Sequence, residues 1–158
     1  MSGQVEQIAP ELEVQEWLNG DPILLSQCRG RVVVVYAFQM LCPGCVHHAT
    51  PQISRLHEMF SKSDDIVVIG LHTVFEHHDV MGPEALKVYI HENRLNFPVA
   101  VDRPTAGSRI PCTMATYELQ GTPTIVLIDR HGQFRAKYLG PVEDMSLGVA
   151  IGRLLAES

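Results

Sequence analysis

Val32-Val33-Val34-Val35-Tyr36-Ala37-Phe38-Gln39-Met40-Leu41-Cys42-Pro43-Gly44-Cys45-Val46-His47-His48 is the stretch from which the fold can be read. Val32 to Phe38 are apolar on both faces and rich in β-branched side chains, the pattern of a central strand covered on both sides. The strand runs into a helix start carrying two cysteines three apart, which puts both on one helical face. A pair so placed can close a small disulfide ring or present two thiols together. The helix dipole and free N–H groups at that end favour a thiolate, which lowers the first cysteine's pKa. The thiolate is the nucleophile of disulfide exchange, so thiol–disulfide chemistry is expected at Cys42 and Cys45.

Beyond the cysteines, Val46, Ala49, Ile53, Leu56 and Phe60 form a helical stripe, in which Pro51 cannot donate to the His47 carbonyl and predicts a kink. Ile66 to Leu71 reads as a second buried strand, and strand–helix–strand predicts a βαβ unit with a parallel pair. His72 to Gly82 reads as a polar loop, Pro83 to about Leu95 as a helix, and Phe97 to Val101 as a short strand that Pro98 places at a sheet edge. Arg103 to Pro111 is a loop, with a brief helix through Leu119. Thr124 to Ile128 is a strand, and Phe134 to Leu139 alternates as a hairpin edge. Leu147, Ile151, Leu154 and Leu155 set a final helix over about Glu143 to Ala156. Upstream of the central strand, Leu12 to Leu18 and Ile23 to Leu25 flank Asn19-Gly20 and predict a hairpin. Residues 1–11 are expected as a flexible arm, and 12–158 as one domain.

The 158 residues suit a single core, with 46% hydrophobic and 19% charged residues arguing against disorder. A formal charge of −6 gives no support for nucleic-acid binding, and no apolar run approaches the roughly 18 residues of a membrane span. Met1 to Gln7 shows no basic segment followed by an apolar stretch. The expected location is therefore cytoplasmic, or periplasmic if a native leader is missing. Four cysteines are too few for a disulfide scaffold; one close pair plus isolated Cys28 and Cys112 reads as a redox pair with two bystanders.

In this order the elements resemble the thioredoxin fold as elaborated in the redoxin (TlpA-type) proteins. The resemblance rests on Leu25 to Val34, Phe38 to Cys45, Tyr117-Glu118-Leu119-Gln120-Gly121-Thr122-Pro123-Thr124 and Ile128-Asp129-Arg130-His131-Gly132. It implies an α/β thioredoxin fold with an N-terminal hairpin extension and an inserted helix and strand between the second parallel strand and the cis-Pro strand. It also implies that Pro123 is cis beside the cysteines, with Thr122 offering backbone bonds to an extended substrate. Leu41 replaces the usual aromatic before the first cysteine, Tyr36 stands where many thioredoxins carry a buried acid, and Pro51 falls one residue late. His48 stands where some relatives in cytochrome maturation carry a glutamate.

The expected mechanism has a Cys42 thiolate attack a substrate disulfide and Cys45 resolve the mixed disulfide. His48 is the candidate proton relay, with His47 beside it; the plainer reading leaves both solvating a helix face. Cys28 reads as a buried small hydrophobe and Cys112 as a candidate exposed thiol. His72 follows a parallel strand, at the end where sites gather in such sheets, while His77 and His78 read as a solvated loop. No cofactor is called for. Expected partners are protein or small-molecule thiols and disulfides, with an unidentified electron donor. Two alternatives stand beside exchange. Copper or zinc binding would use Cys42, Cys45 and one or two histidines of 72–78, although related copper-handling proteins show three residues between their cysteines and a zinc site would want a second C-x-x-C or an H-x-x-x-H, which the sequence lacks. A peroxiredoxin-like peroxidase would want a threonine where Gln39 stands.

Overall fold

The computed structural model describes residues 7–158. Its sheet is built on β2 (Val32–Phe38), every residue of which is buried. Alternation along the strand divides the core in two. Val32, Val34, Tyr36 and Phe38 face α1 (Thr50–Met59), α2 (Pro83–Glu92) and α4 (Asp144–Ala156), while Val33, Val35 and Ala37 face α3 (Cys112–Thr116) and the N-terminal segment. β3 (Ile66–His72) lies parallel to β2, with Val32 opposite Ile66 and Phe38 opposite His72. On the other side β5 (Thr124–Ile128) is antiparallel to β2, and β6 (Phe134–Leu139) closes that edge. With β1 (Val14–Leu18) and β4 (Val99–Asp102), the order is β1-β4-β3-β2-β5-β6. This is the thioredoxin fold, with α2 and β4 as its inserted helix and strand.

Three details depart from expectation. The N-terminal hairpin does not form: β1 pairs antiparallel with β4, while Leu25–Cys28 makes a single 3₁₀ turn whose Leu25 and Ser26 amides donate to the Glu11 carboxylate. Asn19 does take a left-handed turn conformation, at φ 59°, but its amide donates to the Leu95 and Phe97 carbonyls leading into β4. The local turn signal is sound; the strand's partner lies far along the chain. Because β1 takes that edge, β4 is interior, and Pro98 stands just before it with its carbonyl accepting from Gly70. Of the expected arm, residues 1–6 lie outside the described residues. Residues 7–11 are tied down: the Phe134 amide donates to Gln7, the Ala9 amide to Gly132, and Ala9 is buried.

The kink expected near Pro51 takes the form of a π-helical turn, Cys45–Ala49, in which Thr50 N–H reaches the Cys45 carbonyl. Pro51 lacks the N–H that would continue the ordinary ladder, so the wider turn absorbs the gap. At Gly70 any side chain is excluded, since a Cβ there would stand 2.7 Å from the Phe97 ring and 3.3 Å from Phe38.

Candidate active site

The chain leaves β2 at Gln39 and turns at once, with Cys42 N–H donating to the Gln39 carbonyl at 3.0 Å and Val46 N–H to the Cys42 carbonyl at 2.9 Å. The turn leaves Cys42 half-buried and puts its Sγ 3.5 Å from the Thr122 carbonyl, to which the thiol donates. The Thr122–Pro123 peptide is cis. Gly44 lets this loop approach, since a Cβ there would lie 3.3 Å from the Pro123 ring. Cys45 is wholly buried, and burial, reinforced by the neighbouring Cys42 thiol, pushes its pKa up to about 12. The two thiols therefore differ in kind: one reachable, one enclosed and protonated.

Beneath Cys45 sits Tyr36, whose hydroxyl shares a 2.7 Å hydrogen bond with Thr50 Oγ1 and donates to the Cys45 carbonyl at 3.4 Å. Burial raises the Tyr36 phenol well above its ordinary range, so it serves as a neutral hydrogen-bonding group. Cys42, Cys45, Thr122 and Pro123 thus come together. His48 Nε2 lies 3.0 Å from the Val142 carbonyl and so donates to it.

Two groups position the site, of which the sequence pointed only to His72, as a residue at a strand end where sites gather. Gln39, only 1% exposed, donates through Nε2 to Glu76 Oε1 and Thr122 Oγ1, each at 3.2 Å, and its Oε1 accepts from Phe75 N–H at 3.3 Å. His72, buried and tilted against Phe38, accepts the Met40 N–H on Nε2 at 3.1 Å. Burial lowers its pKa to about 4, so the acceptor form prevails at neutral pH. For Gln39 the only sequence signal was a polar residue directly after an apolar strand, which demands partners without naming them. Beside Gln39 and Cys42 lies a cleft of about 290 Å³, lined among others by Leu41, Phe75, Glu76, Met81 and Thr122.

The other cysteines stand apart. Cys28 is buried, donates to the Leu24 carbonyl, and has its pKa raised by burial. Cys112 is half-buried beside Thr105, on the helix that covers the opposite sheet face. Among the described residues no three His, Cys, Asp or Glu side chains gather to hold a metal ion, so the loop at 72–78 does not complete a site with the cysteine pair.

A thioredoxin fold with two unlike thiols at the start of its first helix defines a thioredoxin-like redoxin. Residues 5–137 match the AhpC/TSA family, and the chain belongs to it. A solved structure, a thiol-disulfide isomerase from Corynebacterium glutamicum, is 54% identical with a TM-score of 0.91, over 95% of this chain and 98% of that one. The thiol-disulfide oxidoreductase ResA of Bacillus cereus is 28% identical over 87% of this chain and 70% of its own length. NHL repeat-containing protein 2 of Gallus gallus is also 28% identical, over 83% of this chain, which spans only 17% of that relative.

Proposed function

We propose that Cys42 and Cys45 are the working pair of this thiol-disulfide oxidoreductase, run as a reductant of protein or small-molecule disulfides. The observation that carries the reading is the unlike pair itself, a reachable Cys42 thiol against the Thr122 carbonyl beside an enclosed Cys45 thiol. Cys42, as thiolate, attacks one substrate sulfur; a new S–S bond forms, the substrate disulfide breaks, and its second sulfur leaves as a thiolate. Cys45 then loses its proton and attacks Cys42 Sγ, which releases the first substrate sulfur and leaves a Cys42–Cys45 disulfide. Two electrons have passed to the substrate, and an external thiol donor restores the pair. Thr122 and Pro123 hold the substrate's extended backbone during attack. His48, whose Nε2 donates to the Val142 carbonyl, is the candidate relay for the Cys45 proton. A reducing, cytoplasmic setting suits four cysteines of which only two stand close together in the sequence.

No helix among the described residues is long and apolar enough to cross a membrane. The peroxidase alternative is not favoured, because Gln39 stands where the threonine is wanted and its amide is committed to Glu76, Thr122 and Phe75. A glutathione redox titration, with thiols alkylated and counted by mass, tests the reading on wild type and Cys42→Ser. A two-electron transition near roughly −270 mV, absent from the variant, is the expected result. Absence of an internal disulfide at every poise overturns it.

A further inference from the structure

We propose that the cleft beside Cys42 selects protein disulfides carrying a lysine or arginine close to the attacked cysteine, and that Glu76 is the side chain that reads this cation. The inference rests on Cys42 being the attacking thiolate. Glu76 is exposed and follows β3 by four residues, where a glutamate side chain ordinarily spreads over many rotamers in water. Here one carboxylate oxygen is held by Gln39 Nε2, at 3.2 Å. Gln39 is itself buried, and the same nitrogen holds Thr122 Oγ1 at 3.2 Å. The Thr122 carbonyl in turn meets Cys42 Sγ. One buried amide therefore fixes the acid relative to the sulfur that reacts.

The backbone supports the same placement. Phe75 N–H is pinned to Gln39 Oε1, and His77, directly after Glu76, adopts the left-handed conformation at φ 50° and ψ 43°. A non-glycine residue held there carries a conformational cost that the surrounding contacts must offset, and it folds the loop back beside the cleft.

The charge of the cleft is one-sided. Among the described residues Glu76 is its only carboxylate, and its lining includes His77 but no lysine or arginine. Among the described residues no cationic side chain forms an ion pair with Glu76. A carboxylate has about four lone-pair sites, and the single bond from Gln39 leaves capacity for an incoming ammonium or guanidinium. Leu41, 53% exposed, and half-buried Phe75 supply apolar walls for the rest of an extended segment.

The experiment uses the full chain, reduced beforehand and freed of reductant. It is mixed with either of two synthetic cyclic disulfide peptides that differ only in having Lys or Glu two residues from the attacked cysteine. At about 0.01 M ionic strength, the wild type is expected to be oxidised about fivefold faster by the Lys peptide. Glu76→Gln, which keeps an oxygen acceptor for Gln39, brings the ratio toward one, and Glu76→Lys inverts it. In 1 M salt, where the Debye length is about 3 Å, the wild-type preference collapses. A wild-type ratio of one overturns the proposal. So does a preference that survives in Glu76→Gln, which assigns it to the chain's net charge of −6. If neither peptide oxidises the wild type, the reading of Cys42 itself fails and takes this proposal with it.

Discussion

Two residues separate a thiol that solvent can reach from one that it cannot, and the division of labour follows from that difference. Removing Cys45 leaves the attacking sulfur in place while deleting the group that releases the substrate. Cys45→Ala, mixed with glutathione disulfide, is therefore expected to accumulate one glutathione per chain by mass spectrometry, whereas Cys42→Ala carries none at that site. Equal labelling of the two variants would reverse the assigned roles. Gln39 acts through its neighbours: Gln39→Leu strips Glu76, Thr122 and the Phe75 amide of their shared partner. Leaving partly buried polar groups unpaired costs about 1–3 kcal/mol, measurable as a lower denaturant midpoint.

At the scale of elements, β3 carries a tight constraint outside the site. Gly70→Ala drives a methyl into Phe97 and Phe38, both fully buried, and such overpacking costs about 1–3 kcal/mol in urea unfolding. A neutral result would mean that the Phe97 ring can move aside. Elements of this kind were readable because burial writes itself into local pattern. β2 shows an unbroken apolar run, β6 an alternation, and α4 a helical spacing, and each appears close to its expected bounds. The cysteine pair was legible for the same reason, since its chemistry needs only two residues at one boundary. What stayed hidden was long-range. Nothing near Val14 to Leu18 announces Val99 to Asp102 as its partner, and nothing beside Gln39 names Glu76 or Thr122. Pairings of that separation are decided by the assembled sheet and leave no periodic trace in either segment.

Across the whole molecule, the site's buried groups should shape stability against pH. On the acid side, His72 resists its charge, with a pKa lowered from 6.5 to about 4. The unfolded chain takes up that proton first, so the contribution is present above about pH 6.5 and is lost as pH falls through about 4. Asp102, raised by burial, works in the opposite sense over part of that range, while Asp129, Asp144 and Glu157, whose pKa values are lowered, work in the same sense, so His72→Gln should flatten the acid slope without removing it. On the alkaline side, Cys45 keeps its proton from 9.0 up to about 12. The unfolded reduced chain releases it near 9, so reduced-state stability falls as pH rises through that window, by at most about 4 kcal/mol. Buried Tyr36, Tyr117 and Cys28, all with raised pKa values, push the same way in both redox states. Only the Cys45 contribution vanishes when that thiol enters a disulfide. Urea unfolding of the reduced and oxidised proteins between pH 8 and 10.5 should therefore show the reduced form losing stability more steeply. Parallel slopes would mean that the Cys45 thiol ionises as readily folded as unfolded, and would undo its role as the enclosed, protonated partner.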